Sequence, residues 1–160
     1  SWVGGVAAMY IISAFEGELI KTLALASFIP VVIGMGGNIA TQSSTIVVRG
    51  IATGRINMDE FFRIIFKEFK VGLILGSTYG LLLGALAWLG FTDPARLGLV
   101  VGIAVFFVMV MAATVGTMVP LVLKRFDIDA AVATGPFVTT SIDIIGVYMF
   151  FMVARMLLEL

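Results

Sequence analysis

Apolar residues run through this chain in long unbroken stretches, unlike the alternation of strands or the one-sided stripes of soluble helices. Four stretches without charge reach the roughly 20 apolar residues that a bilayer-spanning helix needs. They lie between Lys21 and Arg49, between Lys70 and Asp93, between Arg96 and Lys124, and from Ala130 to Ala154, the last broken only by Asp143. A fifth, Trp2 to Phe15, is shorter, with Trp2 suited to one interface and Glu16 and Glu18 to the other. Backbone polar groups in lipid have to be satisfied within their own segment, and runs without strand-like alternation favour helices over a barrel. The pattern predicts an all-α integral membrane fold. Its helices span residues 2–15, 22–48, 60–90, 96–123 and 130–157, a single transmembrane domain of five helices.

Composition supports this reading. Hydrophobic residues make up 61% and charged residues 12% of the chain, and the mean hydropathy is +1.15, well outside the range of a soluble domain. Ten basic and ten acidic residues cancel, so no global charge points to nucleic acid. The absence of cysteine and histidine removes disulfides, thiolate nucleophiles, imidazole bases and the usual zinc or copper ligands. Residue 1 is Ser and no basic stretch precedes the first apolar run, so the start reads as an internal boundary rather than a signal peptide.

The basic residues are unevenly placed. Arg49, Arg55, Arg63, Lys67, Lys70, Lys124 and Arg125 fall in the connections after the second and fourth helices, against Lys21, Arg96 and Arg155 on the other side. By the positive-inside rule those two connections are cytoplasmic, which predicts a multi-pass protein of the cell (inner) membrane with its N-terminus inside and its C-terminus outside. Arg63, Lys67 and Lys70 recur at i, i+4 and i+7, one helical face beside anionic headgroups or a plainly solvated helix start. In the third helix Gly72, Gly76, Gly80 and Gly84 form a smooth ridge for close approach of another helix. The nine methionines form no set with ligand spacing, and no internal repeat is evident.

Two stretches are harder to explain by packing. From Pro30 to Gly50 the second helix places Gly34, Asn38, Thr41 and Thr45 on one face, small and polar among Val and Ile. Such a face fits the wall of a water-filled path or a polar seam between helices. Pro30, having no N–H, leaves the carbonyl of Ala26 without its helical partner, and freed carbonyls bind cations. In the fifth helix Gly135 and Pro136 loosen the cytoplasmic third, Thr139 and Thr140 precede Asp143 by four and three residues, and Gly146 follows it. A carboxylate at the bilayer centre costs a few kcal/mol or more. No basic residue lies at comparable depth in any helix, so an internal salt bridge is excluded and a protonated acid or a cation site is left.

The segment P-x-x-x-G-x-G-G-N-x-A-T-Q-S from Pro30 to Ser43, R-G-I-A at Arg49 to Ala52, and D-A-A-V-A-T-G-P-F-V-T-T-S-I-D-I-I-G from Asp129 to Gly146 closely resemble the two signature helices of the MgtE family of magnesium channels and transporters. The resemblance implies a homodimer with its pore at the dimer interface, along the two-fold axis between the second and fifth helices. It implies Asp143 as the central Mg2+ site, with Asn38 and the backbone carbonyls of Gly34 and Thr139 as neighbours of the hydrated ion and Thr41, Thr45, Thr140 and Pro136 along the wall. Two residues depart from the family pattern: Ala40 stands where Gly is usual, expected to narrow the path slightly, and Ala130 where Pro commonly follows the Asp. The resemblance further implies cytosolic magnesium-sensing domains ahead of the first helix, which these 160 residues do not include.

A dication asks for about two negative charges, and each chain offers one deep carboxylate. A C2 dimer with Asp143 near its axis supplies the second. Magnesium sheds water reluctantly and prefers octahedral oxygen coordination, so Asp143, Asn38 and exposed carbonyls are expected to hold it through its water shell. Calcium should then be held less well, while Co2+ and Mn2+ are further candidates to pass. Transport needs no covalent chemistry, and an intramembrane aspartyl protease would need a second deep Asp that the chain lacks, so no enzyme activity is expected. The rival readings are a proton-coupled divalent cation carrier with Asp143 as the protonatable group, and a membrane scaffold without flux.

Overall fold

The computed structural model describes residues 2–17, 23–90, 94–133 and 135–158. Glu18, Lys21 and Asp93, used above as interface or boundary markers, lie outside the described residues. The helices are α1 (Trp2–Ala14), α2 (Ile29–Ala52), α3 (Phe61–Gly90), α4 (Pro94–Arg125) and α5 (Pro136–Leu158), with short 3-10 turns at Leu23–Phe28, Met58–Glu60 and Ala130–Ala133. Segments containing α2, α3, α4 and α5 are long and apolar enough to cross a membrane; α1, at 13 residues, is apolar but shorter. Among the described residues no strand occurs.

The boundaries follow backbone chemistry more than charge. Arg49 does not end α2, which continues to Ala52. It stops at Thr53 and Gly54, where Gly54 takes a left-handed φ of 68° and Arg55 and Ile56 return their N–H groups to the Gly50 carbonyl at 2.9 and 3.1 Å. Pro30 sits in the first turn of α2, where no N–H is required, and a 3-10 turn precedes it. The fifth helix likewise begins at Pro136 and not at Ala130. Asp129 Oδ1 accepts the Ala131 N–H at 2.9 Å at the start of the 3-10 turn, and Gly135, at φ 74°, breaks the chain direction before α5. Gly135 and Pro136 thus start α5 instead of loosening its interior.

Helix α4 is the centre of the bundle and packs against α2, α3 and α5, while α2 also packs on α5 and α1 rests on α5. The core joins Val101, Val105 and Met109 of α4 to Val32 of α2 and to Val147, Phe150 and Phe151 of α5. The glycine ridge of α3 lies on α4: a Cβ at Gly76 would stand 2.7 Å from the Phe106 carbonyl oxygen, and one at Gly80 2.6 Å from that of Gly102. Gly98 and Gly102 reciprocate from α4, so the two backbones meet without side chains between them.

Candidate ion site on helices α2 and α5

Helix α2 shows two faces. One is buried in the bundle through Val32, Gly36, Gly37, Ala40, Ser43, Ser44 and Val47. The other leaves Pro30, Gly34, Asn38, Gln42, Thr45 and Arg49 exposed on a single chain, with Thr41 half-buried beside them. The spacing of four, four, four, three and four keeps these positions on one side of a helix turning 3.6 residues per turn. This face is polar or small throughout, on a segment otherwise apolar enough to span a bilayer. At Gly34 an added Cβ would meet nothing within 4 Å, so the backbone is openly approachable there.

Asp143 sits at the edge of this face. A Cβ placed on Gly37 would lie 3.2 Å from Asp143 Oδ1 and 3.5 Å from Thr139 Cγ2, so the α2 backbone passes directly beside the carboxylate. One residue earlier, a Cβ on Gly36 would be 3.0 Å from Val108 Cγ1 and 3.1 Å from Ile142 Cγ2. The GG pair therefore does two jobs: Gly36 admits the core, and Gly37 admits Asp143. The Asp143 carboxylate is half-buried, and among the described residues no hydrogen bond or ion pair engages it. Thr139 donates its hydroxyl to the Gly135 carbonyl at 2.9 Å, which anchors the first turn of α5. Pro136 is exposed at the start of that turn.

Other sequence-derived candidates are placed differently. Thr140 turns its methyl group against Gly4 of α1, so its side chain serves the α1–α5 contact. Ala40 is fully buried against Ala112, Val138 and Ile142, and Gly116 of α4 closes on its backbone, so its methyl group belongs to the core and does not narrow the exposed face. Gly37 and Gln42 were not singled out from the sequence. The signal for Gly37 was the adjacent pair of glycines before Asn38, and for Gln42 its position four residues beyond Asn38. Among the described residues no three His, Cys, Asp or Glu side chains gather into a set that could hold a metal ion.

The family model MgtE, described as "Divalent cation transporter", matches residues 29–153, from the first turn of α2 to near the end of α5. The chain belongs to the MgtE family. It is 38% identical over 156 residues to a protein of Thermus thermophilus named magnesium transporter MgtE, covering 97% of this chain and 34% of that protein. A Bacillus subtilis protein of the same name is 36% identical over 146 residues, covering 90% of this chain and 32% of the relative. An Enterococcus faecalis one is 31% identical over 155 residues, covering 97% and 34%. The chain spans about a third of the length of these curated relatives. MgtE membership and the apolar helices make it a multi-pass membrane protein.

Proposed function

We propose that this MgtE chain forms the ion-conducting part of a magnesium transporter, passing hydrated Mg2+ along the exposed polar face of α2 and past Asp143. The observation that carries the reading is the Asp143 carboxylate against Gly37, at the edge of that face, with no hydrogen bond or ion pair among the described residues. A charge of this kind in lipid needs water, a proton or a cation to hold it. The divalent-cation name of the family and the magnesium name of its relatives favour the cation.

In this reading two chains assemble about a two-fold axis, with α2 and α5 of each toward it. Paired Asp143 side chains then face one dication and match its charge. Asn38 and the carbonyls of Gly34 and Thr139 bind the water shell; each helical carbonyl keeps a second lone pair for a water after its backbone bond is made. Thr41, Thr45 and Pro136 extend the wall. Retaining the aqua ligands selects for Mg2+, whose shell is tight and octahedral, over Ca2+, which takes more ligands at longer range. Co2+ and Mn2+ are candidates to follow the same path. The connections after α2 and α4 face the cytoplasm, and the chain ends outside.

Flux into liposomes at equal pH on both sides tests this proposal. A conducting path moves Mg2+ down its electrochemical gradient under that condition. A proton-coupled carrier would need a pH gradient, and a scaffold would give no flux under either.

A further inference from the structure

We infer that the end of the bundle carrying Arg55, Arg63 and Lys67 holds the phosphate of an acidic phospholipid. The site is a concavity of about 350 Å³ between the end of α2 and the first two turns of α3. Its polar lining comprises the cations Arg55, Arg63 and Lys67 and the carboxylates Glu60 and Glu68.

The carboxylates are already engaged. Glu60 meets Arg63 at 3.2 Å, and Glu68 Oε2 accepts the hydroxyl of buried Ser43 at 3.1 Å. The side chains of Arg55 and Lys67 have no ion pair or hydrogen bond among the described residues. Two unpaired cations and a third in an exposed pair, which is weakly held, leave the pocket set for one anion. A guanidinium beside an ammonium suits phosphate oxygens, since Arg offers a planar fork and Lys a mobile point charge.

The neighbouring surface says which phosphate. Arg63 and Lys67 stand four apart on α3, and Phe62 and Phe66 stand four apart one position earlier, 79% and 58% exposed. Rows one residue apart on a helix are about 100° apart around its axis, so an apolar row flanks the cationic one. Free phosphate would use only the cations; a phospholipid uses both rows, headgroup on one and acyl chain on the other. Lys70, in register with Arg63 and Lys67, instead places its Nζ 4.6 Å from the Phe66 ring centre and reinforces the aromatic row. The Ser43–Glu68 hydrogen bond ties the pocket to α2, so a bound headgroup would brace the end of the proposed pore helix. That consequence rests on the function proposed above; the lipid site itself does not.

Native mass spectrometry of the detergent-purified chain tests the inference with dioleoyl phosphatidylglycerol, dioleoyl phosphatidylcholine and inorganic phosphate as separate probes. Phosphatidylglycerol should be retained in preference to phosphatidylcholine. The double variant Arg55→Gln/Lys67→Gln should weaken that retention roughly thirtyfold, as expected for two basic side chains near an anionic surface. Lys67→Arg, which keeps the charge, should retain it, as should Arg125→Gln, which removes a cation outside the pocket. Equal retention of both lipids, indifference to the double variant, or full displacement of the lipid by millimolar inorganic phosphate would each overturn the assignment. None of these readings depends on magnesium flux, so failure here leaves the transport proposal standing, and the reverse holds too.

Discussion

Gly37 of α2 leaves room for Asp143 of α5: a methyl group on the glycine would stand 3.2 Å from Oδ1. That spacing is tighter than ordinary van der Waals contact, so a methyl group at position 37 requires the carboxylate to shift by a few tenths of an ångström, and a larger side chain requires more. Gly37→Ala should assemble and fold, with Mg2+ flux lowered and unfolding made easier by about 1 kcal/mol. Gly37→Val should abolish flux. Gly34→Ala, where an added Cβ meets nothing within 4 Å, is the control for a glycine without this constraint and should not lower thermal stability. Parallel flux and melting measurements in one lipid decide the matter.

The exposed face of α2 predicts which positions a water-borne reagent can reach. The chain has no cysteine, so single cysteines report cleanly. Asn38→Cys and Thr45→Cys should lose Mg2+ flux on treatment with a charged methanethiosulfonate, because both positions are exposed on the polar face. Thr140→Cys should resist, because Gly4 of α1 covers it. Block at position 140 with none at 38 would reverse the proposed lining.

The α3–α4 contact predicts a stability effect independent of transport. A Cβ at Gly80 would be 2.6 Å from a backbone oxygen that cannot swing away, so Gly80→Ala should cost about 1–3 kcal/mol and Gly80→Val more. Gly90→Ala, at the open end of the same helix, should cost nothing measurable. Thermal unfolding in detergent checks the difference.

Gly54 predicts a backbone effect in the turn that ends α2. Its φ of 68° lies in the left-handed region, so Gly54→Ala should destabilise by about 1 kcal/mol although its Cβ would touch nothing. Gly54→Asn, which tolerates that region, should recover part of the loss.

The spans were legible because lipid demands long apolar runs, and α2 to α5 have them. Helix ends were less legible where charge was taken as the signal: Arg49 can extend from the last turn of a helix, whereas Gly54 and Gly135 reverse the backbone. The glycine ridge was readable because a four-residue repeat has few uses besides close helix contact. The polar stripe of α2 is readable from spacing for Gly34, Asn38 and Thr45, which are exposed, whereas Thr41 is half-buried with its hydroxyl turned inside. What periodicity could not give was rotation about α5. Thr139 and Thr140 are adjacent in sequence, yet one stands beside Gly37 and Asp143 and the other beside Gly4. Only the helices packed on either side separate them. Ala40 shows the same limit on α2, one residue before half-buried Thr41 but turned fully into the core.

In the proposed pathway the Asp143 charge holds the passing ion. Mg2+ uptake into liposomes at symmetric pH, compared between the unmodified chain and Asp143→Asn at equal incorporation, measures this directly. Flux in the variant should fall at least about tenfold, the factor carried by about 1.4 kcal/mol of lost attraction. Discrimination against Ca2+ should weaken with it. Equal magnesium flux and equal selectivity in both proteins would contradict the account.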